Sequence, residues 1–257
     1  MILTSNLADY TSGLIKSSVN AFERQLLRLS HCDLCRSDVS SFHLLCDYCY
    51  QDLPQFNYQH FNGNLLNWPS VNQTLSHQHF DYLFALSPYI WPFDYWLKQL
   101  KFYRRFEYAK LLAQLLASRW CYDHLEQYQQ IDYLDALFTP VAIHAKKWAK
   151  RGYNQSHLIA RLFCRFNSLA HNGRVIKRVL QHTSQVGQTG AARRKQLRGA
   201  FTLSQAELAL PETVFIVDDV VTTGSTVNEI ARLLKQQGVK KVGVIAIALA
   251  LPHNAFD

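Results

Sequence analysis

Nine consecutive positions, Asp218-Asp219-Val220-Val221-Thr222-Thr223-Gly224-Ser225-Thr226, set two adjacent carboxylates directly before a run of hydroxyl side chains around one glycine. The apolar segment Phe215-Ile216-Val217 runs into the acid pair, and a helical pattern begins at Thr226. Gly224 allows close approach of backbone to an anion, and successive N–H groups, hydroxyls and a helix N-terminus then converge on one phosphate. Two carboxylates next to a phosphate cradle would only repel the phosphate. They make chemical sense as acceptors for the hydroxyls of a sugar one ribose length away, and a 5-phosphoribose satisfies both halves. A buried strand with a polar turn explains neither the acid pair nor the five small residues. A Walker-type loop lacks its Gly-Lys pair here, and a dinucleotide fingerprint lacks its further glycines.

A second constellation lies near the N-terminus. Cys32-x2-Cys35 and Cys46-x2-Cys49 are separated by ten residues, a spacing at which two short knuckles can close a tetrahedron around zinc. Four soft anionic ligands leave no open position, so the expected role is structural. Such ribbons bind nucleic acid, bind protein or brace a neighbour, and the spacing does not choose among these. Cys121 and Cys164 fall on predicted helices and read as core residues. Cysteine usage of this kind fits a reducing cytosol.

Elements that must position these residues follow from periodicity. Residues 14–29 predict an amphipathic helix (Ile15, Val19, Phe22, Leu26, Leu29), and residues 55–79, rich in Asn and Gln, predict a linker or an irregular wrap. Beyond Asp81 apolar strands and helices alternate. Strands are expected at 82–86, 134–138 (halted by Pro140), 175–180, 214–217 and 242–251. Helices are expected at 92–103, 108–122, 154–166 with Asn154 as N-cap, 191–197, and 226–237 stopped by Gly238. Continuous apolar strands between helices argue an α/β fold with a parallel sheet covered on both faces, which binds ligands at the carboxyl ends of its strands.

The 257 residues carry 48% hydrophobic and 18% charged side chains, a globular composition, and a net charge of +8 that favours a polyanionic partner. Met1–Ser12 lacks the pattern of a signal peptide, and no run of apolar residues predicts stable membrane insertion. Three stretches are wholly basic: Lys98, Lys101, Arg104 and Arg105; Lys146, Lys147, Lys150 and Arg151; Arg193, Arg194, Lys195 and Arg198. They hold 12 of the 27 basic residues, with Phe102, Tyr103, Phe106, Trp148 and Tyr153 interleaved. Cations with stacking rings suit single-stranded nucleic acid. The second and third stretches equally suit a diphosphate, which would leave the first as a solvated helix face.

The segment Asp218–Thr226 resembles the signature of type I phosphoribosyltransferases, and the wider chain, from about residue 30 to 250, resembles the competence protein F (ComF/GntX) family. Its marks are the four cysteines, Thr139-Pro140-Val141, the run Arg151-Gly152-Tyr153-Asn154-Gln155-Ser156, and Gln185, Arg193, Ala200 and Phe201; Ala142, Gln188 and Gln196 depart from the pattern. The resemblance implies a type I phosphoribosyltransferase-like parallel sheet flanked by helices at 80–257. Before it would come a helical leader at 1–30, a small four-cysteine zinc ribbon at 31–54 and a linker at 55–79. It gives Asp218 and Asp219 the ribose hydroxyls of phosphoribosyl diphosphate and Thr222, Thr223, Gly224, Ser225 and Thr226 the 5-phosphate. Residues 140–147 with Lys146, together with Arg151, would take the diphosphate with Mg²⁺, and Arg193 would close from a flap. The implied function is handling of incoming single-stranded DNA in the cytoplasm during natural transformation, with a helicase-like partner. The alternative is an active phosphoribosyltransferase with an unidentified nitrogenous acceptor.

Overall fold

The computed structural model describes residues 31–39, 42–75, 78–126, 133, 135–179, 197–204 and 209–250. The helix expected at 14–29, and Gln185, Gln188, Arg193, Arg194, Lys195 and Gln196, lie outside them; so does the helix expected at 191–197, apart from Leu197. The chain divides into two compact units, Met1–Leu53 and Pro54–Asp257.

In the first unit, Cys46 caps the short helix α1 (Asp47–Gln51), its sulfur accepting from the Cys49 N–H at 3.5 Å. The Cys32 N–H donates to the Ser37 carbonyl at 2.7 Å and the Asp33 N–H to Leu44 at 2.9 Å, folding the two cysteine pairs towards each other. Phe42 and Tyr50 stack with centroids 4.4 Å apart.

The second unit begins with residues 54–75, which carry two 3-10 turns (Tyr58–Phe61 and Leu65–Asn67) and helix α2 (Pro69–Thr74). It is packed rather than loose: Tyr58, Leu65 and Val71 are fully buried. The segment clothes the outer edge of strand β1 (Tyr82–Pro88). The Tyr58 hydroxyl donates to the Ala85 carbonyl and accepts from the Ala85 N–H, both at 2.7 Å. Asn64 accepts from the Leu83 N–H at 3.0 Å, and Phe56 N–H donates to Leu86 at 3.2 Å. An open edge of a sheet is a template for unwanted pairing, and these side chains satisfy it.

After β1 come α3 (Phe93–Phe102), α4 (Glu107–Glu126), β2 (Leu137–Pro140), α5 (Ala145–Arg151), α6 (Gln155–Phe166) and the two-residue β3 (Ala170–His171). The antiparallel pair β4 (Ile176–Arg178) and β5 (Phe201–Leu203) stands apart from the main sheet. Then follow β6 (Thr213–Val221), α7 (Ser225–Gln236) and β7 (Lys241–Leu249). The main sheet has five parallel strands in the order β1-β7-β6-β2-β3, flanked by helices. Parallel pairing requires crossover connections, which the helices supply. Trp120 of α4, 1% exposed, meets the rings of Tyr82, Phe84, Phe138, Phe163 and Phe215 edge-on. Phe138 and Phe215 stack 4.8 Å apart on neighbouring strands.

Among the departures from the sequence expectation, three concern the sheet. Strand β2 runs through Pro140 instead of stopping before it, because Pro140 pairs with Val217 without needing an N–H of its own and Val141 supplies the next bond to the Val217 carbonyl at 2.9 Å. Strand β6 extends to Val221, so the acid pair sits inside the ladder, with Asp218 opposite Ala246. The strand expected at 175–180 pairs with 201–203 and adds nothing to the parallel sheet.

Candidate functional site

A cleft of about 360 Å³ opens at the carboxyl ends of β2 and β6. Its floor is the segment Asp218 to Val227. Asp218 and Asp219 are 9% and 5% exposed. Asp218 Oδ1 accepts from Ser156 Oγ at 3.0 Å and from the Asp219 N–H at 2.8 Å; Asp219 Oδ1 accepts from the Val220 N–H at 2.8 Å. Burial and the neighbouring Asp219 carboxylate push the Asp218 carboxyl far above the usual range, against the pull of the Asp219 N–H, Lys101 and Ser156.

The loop after the acids is built for an anion. Gly224 has φ of +67° and occupies the N-cap position of α7, whose first N–H groups receive no bond from a capping side chain. The positive φ disfavours any side chain at Gly224, and a Cβ there would stand 2.8 Å from Leu75 Cδ2, which would have to shift. The Thr223 and Ser225 hydroxyls lie 2.9 Å apart on the cleft side.

The run Arg151–Ser156 forms the opposite wall. Gly152, φ +81°, ends α5 in the left-handed conformation. Tyr153 donates its hydroxyl to the Leu100 carbonyl, and Asn154 caps α6 while its amide donates to the Val141 carbonyl at 2.8 Å. Arg151 donates to Gln155 Oε1 at 3.1 Å and lies 5.3 Å from the centroid of the Phe102 ring. Tyr153 and Asn154 thus anchor the run to α3 and to the end of β2, and Arg151, Gln155 and Ser156 line the cleft.

Lys101, in the last turn of α3, places Nζ 2.6 Å from Asp219 Oδ2, with the two side chains 17% and 7% exposed. Burial works against the Lys101 ammonium, but the close Asp219 carboxylate, with help from Asp218, holds it above its ordinary value.

The cleft gathers Asp218, Asp219, Thr222, Thr223, Gly224, Ser225, Thr226 and Arg151. Lys147 lines it and Lys146 does not, although both are exposed in the first turn of α5. Arg193 lies outside the described residues. Lys101, Ser156, Gln155, Phe102 and Arg178 also line the cleft. Sequence reasoning had Lys101 only within a basic stretch, and Ser156 only within the run that ends on it.

In the first unit the Sγ atoms of Cys32, Cys35, Cys46 and Cys49 all lie within 4.8 Å of one another, with Cys35 and Cys46 3.6 Å apart. Sulfurs around zinc at 2.3 Å stand about 3.8 Å apart, so the cluster is arranged to hold a structural metal ion such as zinc. The hydrogen bond with Ser37 holds the Cys35 thiol below its ordinary value, while burial and the neighbouring thiols push Cys49 up.

Residues 156–254 match the phosphoribosyl transferase domain family. The chain is 31% identical over 222 residues to competence protein F of Haemophilus influenzae, covering 85% of this chain and 90% of that protein. It is 32% identical over 231 residues to the DNA utilization protein YhgH of Salmonella typhimurium, covering 89% and 95%. The YhgH protein of Escherichia coli K12 is 32% identical over 232 residues, with the same coverage.

Proposed function

The chain belongs to the family of competence protein F and the DNA utilization proteins YhgH, and from that membership we propose that it binds phosphoribosyl diphosphate in the cleft and engages single-stranded DNA at the cleft's mouth. One observation carries the sugar-phosphate reading: two buried carboxylates and a glycine-capped helix N-terminus share one 360 Å³ cleft. A carboxylate offers about four lone-pair positions. Asp218 and Asp219 each spend only part of theirs on protein partners, leaving acceptors for two ribose hydroxyls, with the 5-phosphate on Thr222–Thr226. Lys147 and Arg151 also line the cleft and bring positive charge to a diphosphate there.

Zinc fits the four thiols. Magnesium fits the acid pair poorly, because Lys101 already faces Asp219 Oδ2; it enters with the diphosphate of the ligand.

The DNA reading rests on a surface that joins two of the three basic stretches. Arg151 stacks on Phe102, and Phe106 meets Tyr153 at 4.7 Å, so the stretch at 98–105 abuts the stretch at 146–151. Phe102, Tyr103, Phe106 and Trp148 are 65%, 68%, 49% and 52% exposed among these cations. Exposed rings beside Lys and Arg hold unpaired bases by stacking and their backbone by charge. Work in the cytoplasm agrees with this, and among the described residues no helix is long and apolar enough to cross a membrane. Partnership with a helicase-like protein rests on the family resemblance.

A catalytic reading has its own observation: the exposed Phe102 ring lies on the cleft beside the acid pair, where a planar nitrogenous acceptor could stack. Both readings are tested on purified zinc-loaded protein. Retardation of labelled single-stranded DNA that weakens steeply with salt, and that Phe102→Ala with Trp148→Ala reduces about tenfold or more, supports the DNA reading. Salt-insensitive or absent retardation would sink it. Diphosphate release from phosphoribosyl diphosphate that depends on an added base or amine supports catalysis, and no release across a panel of acceptors rejects it.

A further inference from the structure

The acid pair is charge-compensated from within the chain. Lys101 is delivered by the C-terminal turn of α3, where a cation is also favoured by the helix dipole. Its stem is largely buried and its ammonium ends 2.6 Å from Asp219 Oδ2. The neighbouring cations have other partners: Lys98 pairs with Asp94 at 2.6 Å, and Arg151 is engaged by Gln155 and Phe102. A magnesium ion binds carboxylate oxygen at about 2.1 Å. At Asp219 Oδ2 it would meet the ammonium within a few ångströms, and the two positive charges would repel in a poorly hydrated place. On the neighbouring carboxylate, Asp218 Oδ1 already takes Ser156 and the Asp219 N–H.

We propose that Lys101 is a built-in counter-cation for the acid pair: it fills at Asp219 the place a divalent ion would take, so that the pair recruits no metal and the ribose 5-phosphate end of a ligand binds without one. The second half of this rests on the sugar-phosphate reading above; the first half does not. Lys101 is a positioning residue in this scheme. It fixes Asp219 Oδ2 and leaves the remaining lone pairs of that carboxylate directed to the cleft, while any requirement for metal passes to the diphosphate.

The experiment counts free Mn²⁺ by electron paramagnetic resonance in the zinc-loaded protein without ligand. Wild type and Lys101→Arg should show no Mn²⁺ site that Asp219→Asn removes. Lys101→Met should gain one, binding about tenfold or more tighter than wild type, and adding Asp219→Asn to it should abolish the gain. Lys101→Gln, which keeps a polar end near Asp219, serves as the second variant should the methionine disturb folding, and circular dichroism identifies the folded one. A wild-type Mn²⁺ site that depends on Asp219, or no gain in either folded neutral variant, would overturn the proposal. Ribose 5-phosphate titrated with EDTA and with Mg²⁺ then reads the second half. Equal affinity in wild type, against affinity rescued by Mg²⁺ in Lys101→Met, is expected. A wild type that binds the sugar only with Mg²⁺ contradicts it. A wild type that binds no sugar under either condition counts against the sugar-phosphate reading, and the Mn²⁺ result alone then decides the role of Lys101.

Discussion

Ser156 donates its hydroxyl to Asp218 Oδ1 at 3.0 Å across 62 positions of the chain, joining the first turn of α6 to the acid pair of β6. The bond is buried and its acceptor is a carboxylate, so its loss leaves lone pairs that water reaches poorly. Ser156→Ala is expected to cost about 1–3 kcal/mol in denaturant unfolding and to weaken ribose 5-phosphate binding several-fold. An unchanged unfolding midpoint would show that the bond does not position Asp218.

The raised carboxyl of Asp218 fixes a direction for pH. In the unfolded chain an aspartate ionises near about 3.9, whereas burial and Asp219 push Asp218 up to about 7 in the fold. Between those values the folded chain keeps a proton that the unfolded chain has released, so this group's contribution to stability falls as pH rises and levels off above about 7. Asp218→Asn removes the penalty. Relative to wild type it should be more stabilising at pH 8 than at pH 5, by on the order of 1–3 kcal/mol; an equal effect at both pH values would refute the assignment.

Gly224 is required by its left-handed backbone, with Leu75 crowding the position further. Gly224→Ala places a side chain at φ +67° and a Cβ against Leu75, at a cost of about 1–2 kcal/mol. Inorganic phosphate binding should fall more than stability does, because the loop N–H groups are displaced. Leu75→Ala added to this variant should recover only the part due to crowding, as read by thermal unfolding and phosphate titration.

The cysteine cluster predicts separable chemistry. Cys46→Ser removes a ligand and the sulfur that caps α1, so bound zinc measured by elemental analysis should be lost. Binding of ribose 5-phosphate by the unit Pro54–Asp257 should persist within about twofold, since every residue of the cleft belongs to that unit. Loss of both together would show that the cleft depends on the metal.

The acid pair and its loop were legible in the sequence because all nine positions are consecutive and their chemistry is local. The parallel sheet was legible for a related reason: β1, β6 and β7 carry continuous apolar runs, Tyr82–Leu86, Val214–Val217 and Val242–Leu249, as strands covered on both faces do. Lys101 was not legible as a partner of Asp219. It is one of several cations around the end of α3, and only the tertiary fold separates it from Lys98, which stays at the surface beside Asp94. Ser156 stood in a run whose meaning is likewise three-dimensional: Arg151 and Tyr153 reach α3, Asn154 reaches Val141, and Ser156 reaches Asp218. The wrap at 54–75 is hard to read because its apolar anchors are sparse and aperiodic. Its role is carried by Tyr58 and Asn64, polar groups that pair with the backbone of β1. That Lys147 lines the cleft and Lys146 does not is nothing a basic pair reveals.

The central claim is that the acid pair and the glycine-capped loop bind phosphoribosyl diphosphate. Its most direct test is calorimetric titration of that ligand with Mg²⁺ into zinc-loaded wild type and into the Asp218→Asn, Asp219→Asn double variant. Saturable binding by wild type is expected, together with its loss by about a hundredfold or more in a double variant that keeps its zinc and its fold. Binding retained by the double variant, or absent from wild type, would contradict the account.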